Sequence, residues 1–152
     1  MSAVENTSFR LVGLRLGHKT VNEGGKCIQD IMGLWGALMN PEANILAKVD
    51  NKVSDNIYAV YFDYDGDWAQ PYAFFLGFRV PDDSGVPDGL DTIVIPAQQY
   101  TVVQAPNVDG IGPAWQGIWE NAELNAKREY RFDFEVSSLS APTVDIYIGV
   151  KH

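Results

Sequence analysis

The sequence predicts an α+β fold in which two strand-helix-strand-strand units form one curved antiparallel sheet with two helices packed on one face. Three observations lead there. The chain repeats itself at an offset of 72 residues: Tyr58 meets Tyr130, Phe62 meets Phe134, Asp63 meets Glu135, Ala69 meets Ala141, and Leu76-Gly77-Phe78-Arg79 meets Ile148-Gly149-Val150-Lys151, without a gap. Each copy contains one segment whose apolar residues recur at three-to-four spacing. The remaining apolar segments are short, aromatic and bounded by turn formers, as strands are. Two copies are too few for a solenoid, so a single pseudo-symmetric sheet is the expected outcome.

Taken in order, residues 8–16 read as a strand, broken by the Gly24-Gly25 pair. Ile28, Ile31, Met32, Trp35, Leu38 and Met39 then mark a helix that places its stripe against a core and ends at Asn40-Pro41. A short helical turn at 44–48 precedes a hairpin, residues 57–64 and 72–80, joined through the Asp65-Gly66-Asp67 turn. The turn-rich stretch 81–89 sits where a linker would, but strands at 91–96 and 99–104, a helix at 113–122 and strands at 130–136 and 144–150 follow it. Pro113 suits the first turn of that second helix, whose stripe is Ile111, Ala114, Trp115, Ile118 and Trp119. Neither half is large enough to stand alone, so residues 1–152 are expected to be one domain, with pseudo-repeats at about 8–80 and 91–151.

Composition narrows the function. With 11 Lys plus Arg against 20 Asp plus Glu, the formal charge is −9, which opposes binding to a phosphate backbone. An aromatic content of 12% excludes a disordered acidic tail. The lone Cys27 cannot form an internal disulfide, and with His18 and His152 as the only histidines there is no zinc-ligand pattern. The N-terminus has no charged start or apolar run of the secretory kind, and no stretch approaches the length of a membrane span. A cytoplasmic protein without cofactor or metal is expected.

Strand alternation puts Val144, Ile146, Ile148 and Val150 on one face, the core, and Tyr147 on the other. If Tyr130, Phe132 and Phe134 join the core set, Glu135 falls on the opposite face, across from Tyr147, and the same construction sets Asp63 across from Phe75. Carboxylates beside aromatic rings suit an organic cation, because the ring quadrupole and the countercharge act together. Tyr61 joins this wall by parity. Trp115 and Trp119, one helical turn apart, are candidates for the edge of a groove between helices and sheet, with Tyr100 and Tyr72 as lesser ones and Trp68 at its rim. Phosphate loops, nucleophile elbows and Cys-His pairs are absent, so no catalytic residue is assigned.

The order of Ile95-Pro-Ala-Gln-Gln-Tyr100, then Gly112-Pro-Ala-Trp-Gln-Gly-Ile-Trp119, then Arg131-Phe-Asp-Phe-Glu-Val136 resembles the GyrI-like effector-binding domain, which also follows the DNA-binding part of multidrug-responsive and AraC-type regulators. The resemblance covers nearly the whole chain and is closest to the stand-alone, integron-cassette branch. It implies binding of amphipathic, often cationic, drug-like molecules in a groove, with Glu135 as countercharge. One departure lies just after that residue, where the family often carries an aromatic and this chain has Val136-Ser137-Ser138. A protein-interaction module of the gyrase-inhibitor type, or a small-molecule hydrolase of the same fold, are the alternatives the resemblance leaves open. Homodimerisation is left undetermined.

Overall fold

A computed structural model describes residues 2–138 and 140–151, and of Ser2–Asn6 and Leu46 the backbone only; His152 lies outside the described residues. The strands are β1 (Ser2–Asn6), β2 (Phe9–Arg15), β3 (Ile57–Phe62), β4 (Ala73–Val80), β5 (Asp91–Ile95), β6 (Gln98–Ala105), β7 (Arg128–Ser137) and β8 (Val144–Val150). The helices are α1 (Lys26–Leu38), α2 (Ile45–Lys48), α3 (Ile111–Glu120) and α4 (Ala122–Lys127), with short 3-10 turns leading into α1 and α3. The α+β architecture is the expected one. Strand β1 is an addition: its segment has no apolar run, and it becomes a strand only by pairing along β6.

All pairings are antiparallel and the order across the sheet is β1-β6-β8-β7-β3-β4-β2-β5. The inner six are palindromic: exchanging β2 with β6, β3 with β7 and β4 with β8 reproduces the order. The repeat is therefore a pseudo-twofold axis, and Tyr61, which both pairs with Asp133 across β3 and β7 and is its counterpart at the 72-residue offset, marks where the axis passes. Strand β5 pairs with β2 of the first unit and β1 with β6 of the second. Each unit thus completes the other's edge.

The sheet is strongly curved. Phe9 on β2 and Phe134 on β7 are three strands apart, about 14 Å at ordinary strand spacing, yet their ring centroids are 5.6 Å apart. Curling on this side buries Phe9, Leu11, Tyr58, Val60, Phe75, Tyr100 and Phe134 in one cluster. On the other side α1 packs Leu38 over Phe74, Leu76 and Phe78, and α3 packs Trp115 and Ile118 over Ile146 and Ile148. Both faces of the sheet are therefore core.

Glycines at matching positions of the repeat permit the closest strand contacts. Gly13 and Gly77 face one another across β2 and β4, and a Cβ on Gly77 would lie 2.4 Å from the Val12 carbonyl oxygen. At Gly149, the repeat mate of Gly77, a Cβ would lie 2.6 Å from the Phe132 carbonyl oxygen. These obstacles are backbone and cannot rotate away. Gly77→Ala is therefore expected to destabilise the protein by about 1–3 kcal/mol, measured by urea unfolding; a midpoint equal to wild type would show that the strands separate without cost.

Candidate functional site

Helices α1 and α3 lie on the same side of the sheet and leave a groove between them, a cavity of about 930 Å³. Its floor is Tyr61, Tyr64, Tyr72 and Glu135, and its walls are Ile31, Met32 and Trp35 from α1 and Ile111, Trp115 and Trp119 from α3. The apolar stripes read as core-facing thus do two jobs. Leu38 and Ile118 are buried, whereas Ile28 and Met32 stay 64% and 62% exposed along the cavity, because the α3 surface opposite is separated from them by the groove.

Glu135 sits at the base, 5% exposed. The Tyr61 hydroxyl donates to its Oε2 at 2.7 Å and the Trp115 indole Nε1 donates to the same oxygen at 2.6 Å. Oε1 has no donor among the described residues. Burial pushes the Glu135 carboxyl above its ordinary range, with the Tyr61 and Trp115 hydrogen bonds opposing part of that shift. Burial also raises the Tyr61 hydroxyl strongly, and the neighbouring Glu135 charge adds to this, so Tyr61 remains protonated and a donor. The carboxylate is held in place by two hydrogen bonds and keeps one oxygen available in a largely apolar cavity.

A connected series of rings surrounds it. Tyr61 meets Trp115 edge-on at 5.1 Å, Trp115 meets Trp119 at 6.4 Å, and Trp119 stacks on Trp68 of the β3–β4 loop at 5.2 Å with 12° between planes. Tyr72 continues from Tyr61 at 5.6 Å, and Tyr64 from Tyr72 at 5.7 Å. Asn22, just before α1, ties this side together: its Nδ2 donates to the Trp68 carbonyl and its Oδ1 accepts from the Tyr72 hydroxyl, both at 2.7 Å. Cys27 also lines the cavity, but burial pushes its thiol up, away from the nucleophilic thiolate.

Arg128 lines the cavity as well, and its charge is compensated locally. Its Nη2 donates to Asp133 Oδ2 at 2.7 Å, with both side chains essentially inaccessible. The Tyr64 hydroxyl donates to the same oxygen at 2.5 Å and the Gly149 amide donates to Asp133 Oδ1 at 2.8 Å. Glu135 is consequently the uncompensated charge of the cavity among the described residues.

Of the residues expected to form a site, the structure gathers Glu135, Tyr61, Trp115 and Trp119 around this cavity, together with Tyr72 and Trp68. The register that was to bring Tyr147 to Glu135 is off by one: Glu135 pairs with Ile146 and Phe134 with Tyr147, so Glu135 shares the helix-covered face with Ile146 and Ile148. A one-residue slip exchanges the faces. Tyr147 instead stacks on Phe134 at 4.7 Å on the far side of the sheet, in the cluster that also holds Phe75 and Tyr100. Nor does Asp63 lie across from Phe75, which pairs with Val60; Asp63 follows the end of β3 with φ +51° and forms a 3.6 Å ion pair with Lys19, with 60% of its side chain exposed.

Sequence reasoning missed Tyr64 and Arg128 for a related reason. Strand parity places Tyr64 with Phe62 and Arg128 opposite Asp133. Asp63 interrupts alternation after β3, and an irregularity in β7 between Arg128 and Asp133, with Tyr130 at φ +55°, interrupts it there. The repeat could have signalled this, since an Arg five residues before an Asp has no counterpart in the first copy. Trp35, assigned to the core, is only partly buried and contributes to the cavity wall.

Similar folds are known. An integron cassette protein from the mobile metagenome of Vibrio cholerae superposes with a TM-score of 0.73 at 19% identity, covering 99% of this chain and 95% of that one. The protein SAV2435, in a structure bound to tetraphenylphosphonium, gives a TM-score of 0.69 at 17% identity over 99% of this chain and 93% of the other. The C-terminal domain of EcmrR gives 0.63 at 14% identity, covering 99% and 96%. At such identities the likeness establishes a shared fold. No curated protein matches the sequence significantly. The family model for Cass2, the integron-associated effector-binding protein, matches residues 3–150, nearly the whole chain, and by that match the chain belongs to the integron-associated effector-binding proteins.

Proposed function

We propose that the cavity between α1 and α3 binds amphipathic organic cations, that Glu135 is their countercharge, and that residues 1–152 act as one effector-binding unit. The observation that carries the reading is Glu135 Oε1: a carboxylate oxygen without a protein donor in a cavity whose other lining is mainly rings and aliphatic side chains. A buried carboxylate is costly unless paired, and a cation both pairs it and meets the faces of the surrounding rings, each worth about 2 kcal/mol or more when desolvated. That SAV2435, of the same fold, was captured with tetraphenylphosphonium supports the choice of a lipophilic cation. In this reading the protein sequesters or senses such molecules; the net charge of −9 disfavours nucleic acid as a direct partner.

Calorimetric titration with tetraphenylphosphonium, and with a neutral amphiphile of similar size, tests the proposal. The Glu135 carboxyl is raised above its ordinary range, so the cation affinity is expected to be level at high pH and to fall as pH drops through that raised value and the carboxyl protonates. Binding near it should release a proton, because a bound cation lowers the carboxyl again. The neutral amphiphile should show neither effect. Equal affinity for both compounds, unchanged between about pH 5 and about pH 8, would refute a charge-based site.

A further inference from the structure

We infer that the ligand carries an extended apolar arm that leaves the Glu135 region toward the start of α3 and lies between Met39 and Val108; this rests on the reading that its charged head sits at Glu135. The two ends of the groove differ. At one end the hydrogen bond from Asn22 to the Trp68 carbonyl and the stacking of Trp68 on Trp119 bridge the start of α1 to the end of α3, with Ile28 of α1 left exposed beside the bridge. By the pseudo-twofold relation, the other end brings the close of α1 to the start of α3. There the lining residues Met39 and Val108 are 49% and 73% exposed, and no stacked pair spans them among the described residues.

Apolar side chains continuous with an apolar cavity, at the end that no bridge crosses among the described residues, fit an aliphatic or aryl extension of the ligand better than a second polar group. Val108 stands in the 3-10 turn before α3 and Trp115, the Glu135 partner, lies one turn beyond Ile111. The path from Trp115 to Val108 is roughly 12 Å, from about 1.5 Å per residue in the helix and about 2 Å per residue in the 3-10 turn. Methionine at this exit suits arms of varied shape, since its unbranched thioether side chain repacks readily.

The test is a calorimetric series of n-alkyltrimethylammonium ions, kept below micelle formation, with primary alcohols of the same chain lengths as uncharged probes. Affinity is expected to rise about fourfold for each added methylene and to level off at about nine carbons, the length of that path. Val108→Asp and Met39→Gln, at exposed positions that leave folding intact, should flatten the increment while short-chain ions bind as in wild type. An increment unchanged in both variants, or no dependence on chain length, overturns the arm. Failure of the head is read separately: if the ammonium ions bind no better than the alcohols, the charge reading fails, while an alcohol increment lost in Val108→Asp still supports the arm.

Discussion

Glu135→Gln is expected to lower affinity for a lipophilic monocation by about 2–5 kcal/mol, the range for removing one partner of a desolvated charge pair, while leaving affinity for a neutral amphiphile nearly unchanged. Gln is almost isosteric, and its carbonyl oxygen can still accept from the Tyr61 hydroxyl and the Trp115 indole, so the cavity keeps its shape. The same substitution should act oppositely on the empty protein. Because burial raises the Glu135 carboxyl, the folded state favours the protonated form; stability is full below the ordinary carboxylate range and is lost as pH rises through the raised value. Wild type without ligand should therefore lose stability over that window, and the Gln variant should not. Thermal unfolding across pH, with and without the cation, reads both effects. If cation affinity changes by less than about twofold, Glu135 is not the countercharge.

Asp133→Ala is expected to cost about 3–5 kcal/mol of folding stability, the range for breaking a buried ion pair by deleting one partner. Asp133 takes the Arg128 guanidinium, the Tyr64 hydroxyl and the Gly149 amide, and its loss leaves a fully buried positive charge in the cavity wall. Cation binding should weaken as well, since Arg128 would then oppose Glu135. Asp133→Leu combined with Arg128→Met removes both charges and should recover much of the stability, which separates an electrostatic cost from a packing one. Urea unfolding of Asp133→Leu, Arg128→Met and the double variant forms the required cycle. A single variant within about 0.5 kcal/mol of wild type would contradict the assignment of this pair as a structural necessity.

The two carboxylates of the Arg131-Phe-Asp-Phe-Glu-Val136 run show why residue type was legible where pairing was not. Both lie two residues apart on one strand, so their common face follows from the period of two. Which face that is depends on the partner strand's register, and a hairpin loop of the length of 138–143 admits more than one. Alternation within β8 was read correctly, but joining Phe132 and Phe134 to Ile146 and Ile148 treated the larger apolar residues as one set. In the folded protein they belong to two cores, because curvature makes the second face of the sheet as dry as the first. A pattern of buried and polar residues cannot distinguish a face covered by helices from one covered by the sheet itself.

Periodicity and repetition by themselves determined the order of β2 to β8 with α1 to α3, the duplication and the positions of the helical Trp residues, while the family resemblance singled out Glu135. These are local properties of the chain, or comparisons of one segment with another, and need no long-range geometry. Tertiary structure alone decided that Tyr147, Phe75 and Tyr100 lie behind the sheet, that Asp63 turns out to Lys19, and that Arg128 reaches Asp133. The reason is physical: one slipped residue or one residue at positive φ reverses every side chain beyond it, and such reversals are settled by the packing of distant strands rather than by the residues that undergo them.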